Sequence, residues 1–401
     1  MRILLANEAR AGAGGVETYL SSLVPALLDG GHAVALLHAN PAAEHGPTTI
    51  EATEAWSVED LGLETSLARA AVWRPDVAFS HNMRRLDIDE SLITRYPVVK
   101  MMHGYFGTCV SGQKAFSFPQ VDPCARICGP ACLAHYLPRR CGVLRPARML
   151  TQYSWTMRQR TLFSRYAAMV VASEHMRREY VANGANAARL TAIPLFAAVP
   201  SSEVCRPSFE RANAAVPAPA LDVLFLGRMT PLKGADVLLD ACSHAATRLG
   251  RELSVVMAGE GPLRDRITRG APGVRVECPG WVDERDRQRL LRRAAVVAIP
   301  SRWPEPFGLV GLEAAAEGVP AVAFAVGGIS SWLTDGGNGR LVDPDGGARA
   351  FGESLAGVIG DASLRTRLSA QARKAAVRFS RSAHVQALEG VLRGVAELVR
   401  M

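Results

Sequence analysis

Short aliphatic and β-branched runs alternate along the chain with longer stretches in which apolar residues return every three or four positions. Runs that are apolar on both faces suit strands buried on both sides of a sheet. Their alternation with helical stretches predicts a parallel α/β architecture. In the first half the pattern places strands at residues 2–7, 32–38, 76–80, 98–103 and 168–172, and in the second at 221–226, 253–258, 274–277, 296–299 and 321–324. Helical composition follows at 17–28 and at 307–317, the latter stopping at Gly318, a residue suited to a left-handed helix end. An amphipathic helix covers about 383–400. Residues 206–220, rich in Ala and Pro and without period, read as a linker.

At 401 residues the chain exceeds what one core usually supports, so two α/β domains are expected, at 1–205 and 206–380. Hydrophobic residues at 48% and charged residues at 21% indicate a folded protein rather than a disordered one. No apolar run approaches the roughly 20 residues of a membrane-spanning helix. The run at 1–6 is too short for a signal peptide and reads better as a first buried strand, so a cytoplasmic location is expected. The net charge of +8 suits any anionic partner. A nucleic-acid-binding protein would explain that charge, but no recognisable nucleic-acid motif appears.

The chemistry concentrates in Trp303-Pro-Glu-Pro-Phe-Gly-Leu-Val-Gly-Leu-Glu313, where eight positions separate two glutamates at a strand-to-helix corner. Pro304 and Pro306 keep the corner out of a helix, so Glu305 sits on a loop facing a helix N-terminus. Free amides and the helix dipole there suit a phosphate, and Gly308 admits a ligand close to the backbone. Glu313 lies roughly a turn and a half further in. Two carboxylates holding hydroxyls at opposite ends of a ligand, with phosphates between, match the layout of a nucleotide sugar. Arg228 and Lys233 follow the strand at 221–226, at the edge where open parallel sheets bind ligands.

The segment resembles the donor motif of retaining glycosyltransferase family 4, which has the GT-B fold of two Rossmann-like parallel-sheet domains facing across a cleft. The resemblance extends over Gly227-Arg-Met-Thr-Pro-Leu-Lys-Gly234, Ala258-Gly-Glu-Gly-Pro262, Gly280-Trp-Val282 and Gly327-Gly328, most of residues 221–343. It implies transfer of a hexosyl unit from a UDP- or GDP-sugar to a hydroxyl of a glycan or lipid-linked glycan, with no cofactor for the chemistry. Glu305 would bind donor-sugar hydroxyls, Glu313 the ribose, and Arg228 and Lys233 the diphosphate. Amides of Phe307, Gly308 and Leu309 would face phosphate or sugar, and Gly259, Gly261, Trp281 and Val282 would line the donor site. The final helix, 381–401, would pack back on the first domain. An epimerase, hydrolase or phosphorylase of the same fold stands as the alternative.

In the first half, Gly12, Gly14 and Gly15 follow the first strand and open a helix, so amides there can meet phosphate, although the spacing is not GxGxxG. Within the resemblance, Gly14 and Gly15 contact the diphosphate and Glu17 touches donor or acceptor. Glu17 serves equally well as a first-turn residue favoured by the helix dipole. His103 should emerge at the carboxyl edge of the first sheet, and in similar enzymes a histidine there lies near the reacting sugar.

Five of the eight cysteines fall within residues 109–141, inside an insertion at 105–145. In a cytoplasmic protein such clustering argues for a metal more than for disulfides. Cys109, Cys124, Cys132 and Cys141 could form a structural zinc site with Cys128 spare. The spacing matches no standard ribbon or iron–sulfur motif, so free or paired thiols and an iron–sulfur cluster stay open. The basic, aromatic tract from Arg139 to Tyr166 suits an anionic membrane surface, a phosphorylated or lipid-linked acceptor, or a solvated helical face over buried aromatics.

Overall fold

Strand β1 (Arg2–Asn7) buries Ile3, Leu4, Leu5 and Ala6 completely, which requires cover on both faces and places it inside a sheet. The sheet adds β2 (Ala33–His38), β3 (Glu54–Ser57), β4 (Val77–Ser80), β5 (Val98–Met102), β6 (Ala168–Val171) and β7 (Leu190–Ala192). A second sheet holds β8 (Leu221–Leu226), β9 (Leu253–Ala258), β10 (Val274–Gly280), β11 (Ala294–Ile299), β12 (Ala321–Phe324) and β13 (Gly339–Val342). Every pairing in both sheets is parallel. The spatial orders are β7-β6-β5-β4-β1-β2-β3 and β10-β9-β8-β11-β12-β13. Each is a doubly wound order that reverses direction once, between β1 and β4 and between β8 and β11. Loops leaving the strands at such a reversal diverge and open a crevice.

The computed structural model describes residues 1–12, 14–41, 48–197 and 220–398, so all of the linker assigned to 206–220 except its last residue lies outside the described residues. Helices used below are α1 (Gly15–Asp29), α2 (Pro146–Thr161), α3 (Glu174–Ala182), α4 (Ala235–Leu249), α5 (Glu284–Arg293), α6 (Leu309–Glu317) and α7 (Arg381–Leu398). Helix α1 buries Tyr19, Leu20, Leu23, Val24 and Leu27, a single stripe turned to the first sheet. At about 1.5–3 kcal/mol for each large apolar side chain removed from water, such stripes hold the helices to the sheets. Helix α7 buries Val385, Leu388, Leu392 and Val395 and returns to the first sheet unit. There His384 Nε2 lies 2.7 Å from Tyr19 Oη, and Glu389 lies 2.9 Å from His32 Nε2.

The strands that hydrophobic pattern alone misses are β3, β7 and β13, each at the edge of its sheet. They are short and carry polar residues such as Glu54, Thr191 and Arg340 on half-covered faces, which removes the continuous apolar run.

The insertion between β5 and α2 has little regular structure: a helical turn at Ala131–Tyr136 and two-residue strands at Ala115–Phe116 and Asp122–Pro123. It forms a satellite core around Val110, Cys128 and Tyr136. Polar pins fix it to the domain. Lys114, almost fully buried, pairs with Glu179 of α3 at 2.8 Å, and the Cys128 amide donates to Asn183 Oδ1 at 2.8 Å.

Candidate active site

The loops leaving β8 and β11, either side of the second sheet's reversal, carry Lys233 and Glu305. Lys233 Nζ donates to Glu305 Oε1 at 2.6 Å, and Ser301 Oγ donates to the same oxygen at 2.5 Å. Glu305 is buried, so without such partners its charge would carry a large desolvation cost. The lysine also sits 5.3 Å from the Trp303 ring centroid. Arg228 extends exposed from the loop before Lys233. Sequence reasoning gave these cations to a diphosphate and did not find the Lys233–Glu305 ion pair, because seventy-two positions separate its members.

Glycine geometry fixes how these loops meet. A Cβ on Gly234, at φ 67°, would lie 1.9 Å from the Pro300 carbonyl oxygen, so the Lys233 loop rests directly on the Glu305 loop. Gly259 and Gly261, expected to line the donor site, press their backbones against Gly227 and Met229, where a Cβ would fall 2.0 and 2.5 Å from carbonyl oxygens. They support the Arg228 loop from beneath. Gly327 and Gly328 back the Glu305 loop in the same way, with the Gly328 amide donating to the Glu305 carbonyl at 2.6 Å.

Gly308, at φ 85°, caps α6, so the amides of the first turn at Leu309 open beside Glu305. Phe307 is buried, and its carbonyl accepts from Trp332 Nε1 at 2.7 Å. Glu313, one helical turn on, is also buried. Both of its oxygens accept from Arg287 Nη1 at 2.9 Å, an arginine on α5 that sequence reasoning missed. Burial pushes the Glu313 carboxyl up to about 7, although Arg287 pulls it down. Trp281 stands 60% exposed on the loop after β10, with Val282 half-buried beside it.

Across the reversal of the first sheet, Gly14 and Gly15 are exposed at the start of α1. A Cβ at Gly15 would meet no atom within 4 Å, so space lies open beyond that amide. Glu17 turns inward and accepts from Asn7 Nδ2 at 3.2 Å. His103, just past β5, lies 3.1 Å from His81 Nδ1 through its Nε2, with the Tyr19 ring 5.4 Å away. Burial, reinforced by Lys100 and His384, drives the His103 pKa down to about 3, so this imidazole is neutral at physiological pH. Beside it lies a shallow groove, with room for about one water molecule, lined by Arg84, Phe106, Trp155 and Gln159. There the Arg84 guanidinium stacks 4.4 Å from the Phe106 centroid, and Trp155 Nε1 donates to the Arg84 carbonyl at 2.7 Å.

The two halves touch at the Glu305 loop. Ser173, the N-cap of α3, donates to the Pro306 carbonyl at 2.7 Å, and Tyr105 meets Trp303 edge-on with centroids 6.3 Å apart. Tyr105 Oη and Trp303 Nε1 are buried with no hydrogen-bond partner. Buried polar atoms without partners are costly, and a bound ligand or water is one way to satisfy them.

The cysteine cluster belongs to the insertion between β5 and α2. Cys109, Cys124, Cys128, Cys132 and Cys141 are all free thiols. Among the described residues no group of three or more His, Cys, Asp or Glu side chains is arranged to hold a metal ion.

Residues 208–375 match the family Glycosyl transferases group 1. The chain is similar to the D-inositol 3-phosphate glycosyltransferase of Xylanimonas cellulosilytica, 38% identical over 192 residues covering 45% of this chain and 44% of that one. It is also similar to D-inositol 3-phosphate glycosyltransferase 1 of Catenulispora acidiphila, 36% identical over 201 residues and 47% of each chain. The chain thus spans less than half the length of these curated relatives. Among solved structures, Anabaena HepE in complex with UDP and glucose aligns at TM-score 0.65 and 19% identity, covering 98% of this chain and 100% of that one. Sucrose-phosphate synthase from Thermosynechococcus elongatus aligns at TM-score 0.68 and 18% identity, covering 98% of both. At such identities the likeness is one of fold, and the chain has the GT-B arrangement of two parallel-sheet α/β domains.

Proposed function

We propose that the chain is a retaining hexosyltransferase that moves a sugar from a UDP- or GDP-sugar to a hydroxyl of a glycan or lipid-linked glycan. The observation that carries this reading is the half-buried Lys233 held against buried Glu305 and Ser301 at the second sheet's reversal, beside the first-turn amides of α6. A diphosphate docking there replaces Glu305 as the partner of Lys233. The freed carboxylate then accepts hydrogen bonds from sugar hydroxyls, while Arg228, Lys233 and the amides stabilise charge developing on the leaving diphosphate. Glu313 accepts from the ribose while Arg287 holds it in place. Neutral His103, braced by His81, positions the donor sugar rather than attacking it.

The acceptor enters along the Arg84–Trp155 groove beside His103. A cationic, aromatic groove favours a phosphorylated or lipid-phosphate acceptor, in keeping with relatives named for D-inositol 3-phosphate. We assign domains at 1–205 and 206–380, with α7 crossing back to the first. Cys109, Cys124, Cys132 and Cys141 are proposed to take up one structural zinc ion. The Lys114 amide already donates to Cys109 Sγ at 3.3 Å, the kind of contact that favours a thiolate ligand.

The experiment is a thermal-shift and turnover panel of UDP, GDP, ADP and their sugars, since a ligand of the folded state raises Tm. Stabilisation by one nucleotide family, with sugar released only when an acceptor is present, supports transfer. Donor turnover without acceptor points to the epimerase or hydrolase reading, and the absence of any shift contradicts a donor cleft.

A further inference from the structure

Residues 123–173 hold eight arginines, no lysine and no acidic residue, so the remaining 38 basic residues of the chain balance its 38 acidic ones. The whole net charge of +8 is therefore attributable to one segment, the end of the insertion together with α2 and β6. Among the described residues only Arg158 of these eight has a carboxylate at ion-pair distance, that of Glu90. Five of the ten exposed large apolar side chains among the described residues lie in or beside the same segment: Phe118, Ile127, Val143, Leu144 and Leu150. A merely solvated basic face would not gather apolar side chains, and clustered exposed ones mark an interaction surface.

The two properties share one face. The Phe118 amide donates to the Arg139 carbonyl at 3.2 Å, and the Arg140 guanidinium lies 4.8 Å from the Phe118 centroid. From there the chain turns into residues 143–148, six consecutive exposed positions that run into the first turn of α2. We propose that this face, built on Arg140, Val143, Leu144, Arg145 and Arg148, docks on a bilayer rich in anionic phospholipid. The aliphatic side chains enter the headgroup boundary while the guanidinium groups meet lipid phosphates, a peripheral attachment that needs no spanning helix. A nucleic acid would use the cations but gains little from valine and leucine, since bases stack on aromatics. Helix α2 also carries Trp155 against Arg84, so docking sets the mouth of the first-domain groove at the lipid surface.

The test is co-sedimentation of the full chain with phosphatidylcholine vesicles, with and without phosphatidylglycerol, at low and physiological salt. The proposal expects binding only to the anionic vesicles, weakened by salt. At about fivefold per arginine, R145Q/R148Q lowers the partition coefficient roughly 25-fold, whereas R145K/R148K keeps most of it. V143S/L144S also weakens binding. All these side chains are exposed, so each variant keeps the wild-type Tm. No binding to anionic vesicles overturns the proposal, as does binding indifferent to both sets of variants. Binding to an RNA oligomer but not to vesicles at the same salt overturns it as well.

Discussion

Lys233 and Glu305 form one unit: the ammonium lies 2.6 Å from Oε1 of a buried carboxylate, on two loops that meet only because the second sheet reverses between β8 and β11. In the proposed donor complex each residue would exchange the other for a ligand group, phosphate at the cation and hydroxyls at the carboxylate. The pair is therefore pre-ordered before a donor arrives. Glu305→Ala should lower kcat by at least about a hundredfold while leaving nucleoside-diphosphate affinity mostly intact, because Lys233 keeps its charge. Steady-state transfer rates and direct titration of the nucleotide check this, and an equal loss of nucleotide binding contradicts it.

Glu313 and Arg287 predict a pH dependence. Burial raises the folded carboxyl to about 7, and in the proposed donor complex its ionised form is the better acceptor for ribose hydroxyls. Nucleotide affinity should therefore fall as pH drops from about 8 to 6, and Glu313→Gln should remove that dependence. The fold itself gains from the raised pKa at low pH: the contribution is full below the unfolded value and is lost as pH rises through about 7. Wild-type and variant affinities measured across this range settle the sign.

The histidines of the first domain act in the opposite direction. Burial lowers the pKa of His384 to about 4 and that of His103 to about 3, so each stabilises the fold when neutral. That stabilisation is fully present above the unfolded value near 6.5 and is lost as pH falls toward 4, by at most about 1.4 kcal/mol per pH unit for one group. Because His384 bonds Tyr19 and the Pro194 carbonyl at 2.7 Å, acid should release α7 early. Thermal melts of wild type and His384→Gln between pH 8 and 5 should converge as pH falls.

Glycines that support loops and glycines that face a ligand should separate by assay. Gly259→Ala puts a Cβ 2.0 Å from the Gly227 carbonyl oxygen at a φ of 139°, and should lower Tm by roughly 5–10 °C. Gly15→Ala enters open space, so Tm should hold while donor KM rises, provided that amide meets the diphosphate.

For the cysteine insertion, elemental analysis of protein purified without chelator should find about one zinc per chain. Cys124→Ser and Cys141→Ser should then lose both the metal and several degrees of Tm. Metal-free protein whose Tm is indifferent to these changes excludes the zinc site.

The central strands of both sheets were legible because full burial on two faces writes an uninterrupted apolar run, as in Ile3 to Ala6. The Glu305 corner was legible because its prolines and glycines sit at fixed offsets. The edge strands were not, since half of each faces water. Arg287 and Tyr105 were equally hidden: what brings them to the site is packing across α5 and α6 in one case and between the two sheet units in the other, and neither leaves a local pattern. The supporting role of Gly259 and Gly261 was masked too, because a glycine demanded by close backbone packing looks in sequence like one demanded by a ligand.

The most direct test of the donor site is titration of UDP, GDP and ADP into wild type and Arg228→Ala by calorimetry. Arg228 is exposed, so its removal leaves the fold intact. One nucleotide binding one-to-one, with affinity about tenfold or more weaker in the variant, is the predicted result. No binding by any of the three, or equal affinity in both proteins, would contradict a diphosphate held between the β8 and β11 loops.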